Sequence, residues 1–122
     1  VRIMQWQGDG AMLVGVTTGP VIATVVELAA RMKAFGHPIR GGIAVSPVLL
    51  LDGDDYLGRA TNFSARLCTA AAPHEVLCDL DGSDQLPSWV NAEVRDDITI
   101  RGMGLFSALV LSVEPNIDLP PL

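Results

Sequence analysis

Two polar residues, Asn62 and Arg66, lie four positions apart in the stretch Asp52 to Leu67, DGDDYLGRATNFSARL. On a helix that spacing puts both on one face, an amide beside a fixed cation. A guanidinium offers a planar fork to phosphate oxygens, and an amide donates and accepts. Such a pair on a helix surface is also what an ordinary solvated face carries. Asp55, seven residues before Asn62 across a turn containing Gly58, weakens that plainer explanation, because its carboxylate can approach the same place. A carboxylate accepts from an amino group such as that of a purine, so the three together describe a nucleotide pocket. A further carboxylate, Asp9, sits in the turn Gly8-Asp9-Gly10. It suits turn chemistry and equally suits Mg²⁺, which takes one or two protein carboxylates plus substrate phosphate oxygens; one aspartate does not decide.

Other chemistries are poorly served. The run Asp52-Gly53-Asp54-Asp55 begins like a calcium loop, but Phe63 stands at the twelfth position where a bidentate glutamate is needed. Asn62-Phe63-Ser64 matches a glycosylation sequon inside an expected helix and is set aside. His37 and His74 stand beside prolines with no partner at metal or triad spacing, and no GxSxG, Walker A or Rossmann glycine pattern occurs. Cys68 and Cys78 lack CxxC spacing and read as free buried thiols in a reducing compartment, so a cytoplasmic location is expected. A net charge of −6 and a pI near 4.6 leave no basic stripe for a nucleic-acid backbone. No apolar run has membrane-spanning length and no signal peptide is visible. Because the chain opens on Val1 within an apolar pattern, its natural N-terminus is expected further upstream.

The elements that must position these residues follow from periodicity. Val1 to Gln7 alternates Val1, Ile3 and Gln5 against Arg2, Met4 and Trp6, and a strand Ala11 to Val16 completes a hairpin. From Pro20 to Phe35 the residues Ile22, Val25, Val26, Ala29 and Met32 keep helical spacing, and Gly36 supplies the stop. Ile39 to Leu51 is the longest extended candidate, divided by Pro47. A second helix is expected over Arg59 to Ala71 and a short strand over Glu75 to Cys78. The signal from Asp79 to Asp97 is weak; Ile98 and Ile100 mark a strand end, Arg101 to Gly104 a turn, and Leu105 to Val113 a closing strand. This order predicts one α+β domain over 1–113, with both helices on one face of the sheet and a flexible tail over 114–122.

The run Asp55-Tyr-Leu-Gly-Arg-Ala-Thr-Asn62-Phe-Ser-Ala-Arg66-Leu resembles the signature of class III nucleotidyl cyclases, D-Y-x-G-x-x-V-N-x-A-A-R-L. Collinear pieces extend the resemblance over nearly the whole chain. Gly8-Asp9-Gly10-Ala11-Met12 resembles G-D-x-x-M, Arg40-Gly-Gly-Ile43 resembles R-x-G-I, Ala72-Pro-His-Glu-Val-Leu77 resembles A-x-P-G-E-I-L, and Arg101-Gly102 resembles the K-G before the last strand. The resemblance implies a ferredoxin-like βαββαβ sandwich that works as a homodimer. Two Mg²⁺ or Mn²⁺ ions would assist attack of the ribose 3′ oxygen on the α-phosphate of a nucleoside triphosphate, expelling pyrophosphate. Asn62 would orient the ribose, Arg66 would stabilise charge on the phosphate, and Asp55 would read the purine. Asp9 would hold metal for the opposite protomer's Asn62 and Arg66.

Departures from the pattern matter. The family's first metal aspartate lies on a strand before Val1, leaving Asp9 as the metal ligand within this sequence. Its base-reading lysine is Gln5 here, which still bonds a purine edge but no longer secures ATP over GTP. His74 replaces a turn glycine, and Ala44 a common histidine. The alternative is a catalytically silent cyclase-homology module that dimerises or binds nucleotide to regulate a partner. A diguanylate cyclase is disfavoured, because Gly41-Gly42 runs into Ile43 with no GGDEF-like sequence.

Overall fold

The computed structural model describes residues 1–8, 10–46 and 54–114, with the backbone alone at positions 2, 4, 5, 7 and 54–59. In chain order the elements are β1 (Arg2–Gln7), β2 (Gly10–Val14), α1 (Thr18–Ala34), β3 (Gly41–Ile43), α2 (Asp54–Ala70), β4 (Val76–Cys78), a 3₁₀ helix (Leu80–Gln85), β5 (Val90–Ile100) and β6 (Gly104–Val113). The α+β class holds. β1 and β2 form an antiparallel hairpin of their own, and the other strands form a mixed sheet in the order β3-β4-β6-β5. Within it β3 and β4 are parallel, while β4–β6 and β5–β6 are antiparallel.

α1 begins two residues before the expected Pro20, which falls in the first turn, where a backbone N–H has no helical partner to lose. Its end is a Schellman cap: Gly36 at φ +80° donates to the Lys33 carbonyl at 3.0 Å, and His37 donates to that of Met32 at 2.9 Å. Arg31 and Lys33 in the last turn suit the negative end of the helix dipole. α2 starts five residues earlier than Arg59. It stops short of Pro73, since a residue preceding proline is pushed away from helical geometry. Of the expected extended segment 39–51, the described part 39–46 contributes the three paired residues Gly41–Ile43. The division at Pro47 and the remainder of the segment lie outside the described residues, as does the tail over 115–122.

The two helices lie on opposite faces of the four-stranded sheet, not on one. Ile22, Val26 and Ala29 of α1 pack on Ile43, Val76, Cys78, Leu109 and Leu111. Leu67 and Ala71 pack on Leu77, Ile98, Ile100 and Ala108. Alternation within a strand explains the division: Val76 and Cys78 point to α1, and Leu77 between them points to α2. Burying a side chain such as Ile22, Leu67, Leu77 or Ile100 is worth about 1.5–3 kcal/mol each, so each face secures one helix. The apolar spacing of each helix fixes its own inward stripe but carries no information about which sheet face receives it.

β5 runs through the region where the sequence signal is weak. Its register against β6 shifts between Arg95 and Ile98, and Asp97 takes φ +63° there. The extra residue reverses the alternation, so Val90 and Ala92 serve the α1 side while Ile98 and Ile100 serve the α2 side. A second shift, between Ile3 and Gln5, turns Trp6 onto the side of Ile3 instead of the opposite side expected from simple alternation. Among the described residues no helix is long and apolar enough to cross a membrane.

Candidate nucleotide site

α2 turns its Phe63–Leu67 stripe to the sheet, which leaves the neighbouring stripe, Asn62 and Arg66, exposed. Both line a cleft of about 470 Å³ whose other walls are Ala44, Val45 and Ser46 after β3, Ala60 and Phe63 of α2, and Met103 of the β5–β6 turn. The Phe63 ring is tilted against Phe106 with centroids 5.7 Å apart, which anchors this part of α2 to β6. Of the expected site residues, the structure thus brings Asn62 and Arg66 together on one wall.

Asp55 lies in the first turn of α2, where a separate turn was expected. Helical spacing of seven and eleven residues sets positions 55, 62 and 66 on one stripe. Gln5 lies in β1 opposite Met12, and Asp9 lies outside the described residues. Among the described residues no three histidine, cysteine, aspartate or glutamate side chains converge on a metal-sized site, so the expectation of Mg²⁺ or Mn²⁺ stands on the sequence resemblance.

Two glycines, Gly42 and Gly102, shape the site, and a third packs the opposite face of the sheet. A Cβ on Gly42 would fall on the Ser64 carbonyl oxygen and the Cys68 amide nitrogen, so α2 lies backbone to backbone on β3 only because that residue has no side chain. Gly41, on the other face, would meet Val25 and Val76 at 3.0 and 3.2 Å. Gly102 has φ +82°; a Cβ there would stand 2.8 Å from Nη1 of Arg66. Arg66 also donates from Nη1 to the Arg101 carbonyl. Gly41, Gly42 and Arg101-Gly102 carry sequence signals, since they belong to the motif pieces; that Gly42 and Arg101-Gly102 meet α2 while Gly41 faces α1 is visible only in three dimensions. Met103 carried no signal at all.

Cys68 and Cys78 are free thiols, as expected, but of the two only Cys78 is buried; Cys68 is half-buried. Burial pushes the Cys78 thiol up to about 12, with the nearby Asp79 carboxylate adding to it. Burial also raises Cys68, partly countered by the Arg40 cation, and its thiol donates to the Arg40 carbonyl at 3.3 Å. Neither is poised as a nucleophile at neutral pH.

The chain is similar to uncharacterized proteins of Mycobacterium bovis and of two Mycobacterium tuberculosis strains, 33% identical to each over 115 residues. The aligned region covers 93% of this chain but 29% of each relative, so the chain spans less than a third of the curated relatives it matches. No family model and no solved structure matches it.

Proposed function

We propose that this chain is the core of a class III nucleotidyl cyclase domain, converting ATP or GTP to the 3′,5′-cyclic monophosphate and pyrophosphate. The observation that carries this reading is the joint presence of Asn62 and Arg66 on one wall of a cleft of about 470 Å³, a volume suited to a small ligand. The Asn62 amide can hold the ribose, and the Arg66 fork can meet negative charge as it builds on the phosphate. Asp55, two turns earlier on the same helix, is assigned to the purine, with Gln5 from the hairpin. Asp9 is assigned to metal; divalent ions, when bound, neutralise phosphate charge and favour ionisation of the attacking hydroxyl.

A homodimer belongs to the same proposal, with Asp9 of one protomer serving Asn62 and Arg66 of the other. Apolar side chains left open on the hairpin, Ile3 and Trp6, and on the β5–β6 ribbon, Val94 and Leu105, support it. The chain order β1-β2-α1-β3 is that of the ββαβ half of a ferredoxin-like βαββαβ arrangement, and this order alone supports the cyclase sandwich, because the hairpin here forms a sheet of its own. A cytoplasmic site of action is part of the reading. The silent-module alternative draws on Gln5 in the place of a lysine.

Assay of the full-length natural protein with Mn²⁺ and ATP or GTP tests the proposal. Cyclic nucleotide formation is expected; none from either triphosphate would leave the silent module. Gln5→Lys is expected to shift the ratio of ATP to GTP turnover, and an unchanged ratio would remove Gln5 from the purine site.

A further inference from the structure

The β5–β6 turn meets the Arg66 side chain at two points, the Arg101 carbonyl and Gly102. The turn is closed by the Met103 amide donating to the Ile100 carbonyl at 2.9 Å. Between those residues the Arg101 carbonyl accepts from Nη1 of Arg66. The Cβ position of Gly102 stands 2.8 Å from Nη1, 3.8 Å from Cζ and 4.0 Å from Nη2, so the guanidinium rests over the bare glycine. Met103 then continues into the wall of the cleft that Arg66 lines.

Arg66 is exposed, and a free arginine side chain carries about 2 kcal/mol of rotamer entropy. A guanidinium that must meet developing phosphate charge works best when its position is set beforehand. The Arg101 carbonyl occupies part of one Nη group and leaves the remaining donors of the fork for a ligand. Gly102 and Gly104 share the left-handed backbone, at +82° and +88°, yet a Cβ on Gly104 would meet nothing within 4 Å. Only at Gly102 does the missing side chain also make room for Arg66.

We propose that the turn Arg101–Met103 sets the position of the Arg66 guanidinium, with Gly102 as a positioning residue that acts through Arg66. The kinetic consequence rests on the cyclase reading above; the structural one does not. The pair Gly102→Ala and Gly104→Ala separates the two, because both impose a side chain on a left-handed backbone and only the first displaces Arg66. In the full-length protein, Gly102→Ala is expected to lower kcat on the order of 10²-fold while KM changes far less. Phenylglyoxal labelling of Arg66, followed by mass spectrometry, is expected to accelerate in Gly102→Ala and to stay at the wild-type rate in Gly104→Ala. In an Arg66→Ala background, Gly102→Ala should cost no further turnover. Equal behaviour of the two glycine variants, or unchanged labelling of Arg66 in Gly102→Ala, overturns the proposal. If the wild-type protein forms no cyclic nucleotide, the cyclase reading fails, and the labelling comparison still decides whether the turn holds Arg66. Should Gly102→Ala not fold, Gly102→Asn carries the same test, since asparagine tolerates the left-handed region.

Discussion

Arg66 and Arg101 lie 35 residues apart in sequence, yet Nη1 of the first donates to the main-chain carbonyl of the second. The contact joins α2 to the β5–β6 turn on the rim of the cleft and makes the candidate site a property of two distant segments.

Asn62→Ala and Arg66→Ala are each expected to lower cyclase turnover by about 10²–10³-fold, the loss typical of removing one group that stabilises transition-state charge. Asn62 is exposed, so its loss should change stability by no more than about 0.5 kcal/mol in denaturant melts, whereas Arg66→Ala also removes the hydrogen bond to Arg101, worth about 0.5–1.5 kcal/mol. Near-normal rates in either variant would reject the role assigned to it.

Gly42→Ala should act in the opposite way, on the fold first. Its methyl group would meet Ser64 and Cys68 main-chain atoms, which cannot swing aside as a side-chain end can. A loss of about 1–3 kcal/mol is expected from urea unfolding, as for other overpacked positions. An alanine variant as stable as wild type would show that α2 does not lie this close to β3.

His74 holds φ +69°, a left-handed conformation that an L-residue adopts at a cost of about 1–2 kcal/mol. Glycine relieves that cost but loses about 0.5–1 kcal/mol through the freedom of the unfolded chain. His74→Gly is therefore expected to stabilise by up to about 1.5 kcal/mol, read as a higher denaturant midpoint. A lower midpoint would contradict the strained turn.

Cys78 gives a pH dependence with a definite sign. Its thiol is raised to about 12 in the folded protein from an ordinary 9.0, chiefly by burial. Between those values the unfolded chain has released a proton that the folded chain still holds, so stability is full below about pH 9 and falls as pH rises toward 12. Cys78→Ala should flatten that alkaline decline in melts taken from pH 8 to 11. In the native protein at pH 8, iodoacetamide should label Cys68 ahead of Cys78, and denaturation should expose both; rapid native labelling of Cys78 would contradict its burial.

Much of the local structure is legible in the residues. The apolar spacing from Ile22 to Met32 and the stop at Gly36 describe α1 to within two residues at its start. The four-residue spacing of Asn62 and Arg66 places them on one helical face, because a helix's phase is set by neighbours along the chain. The start of α2 is not legible, since Gly58 inside DDYLGR reads as a turn, whereas the helix runs through it. β5 escaped for a related reason. Glu93, Arg95, Asp96 and Asp97 interrupt its apolar alternation, and its long antiparallel pairing with β6 supplies what the local pattern withholds.

The amino-acid sequence by itself determined the α+β class, the inward stripes of both helices and the pairing of an amide with a guanidinium on α2. Tertiary structure alone decided that the helices cover opposite faces of the sheet, that the shift at Asp96 and Asp97 exchanges the faces served by β5, and that Arg66 meets Arg101 and Gly102. Spacing along a chain sets the phase of one element. Strand register and the approach of distant turns depend on contacts between elements, which no local pattern encodes.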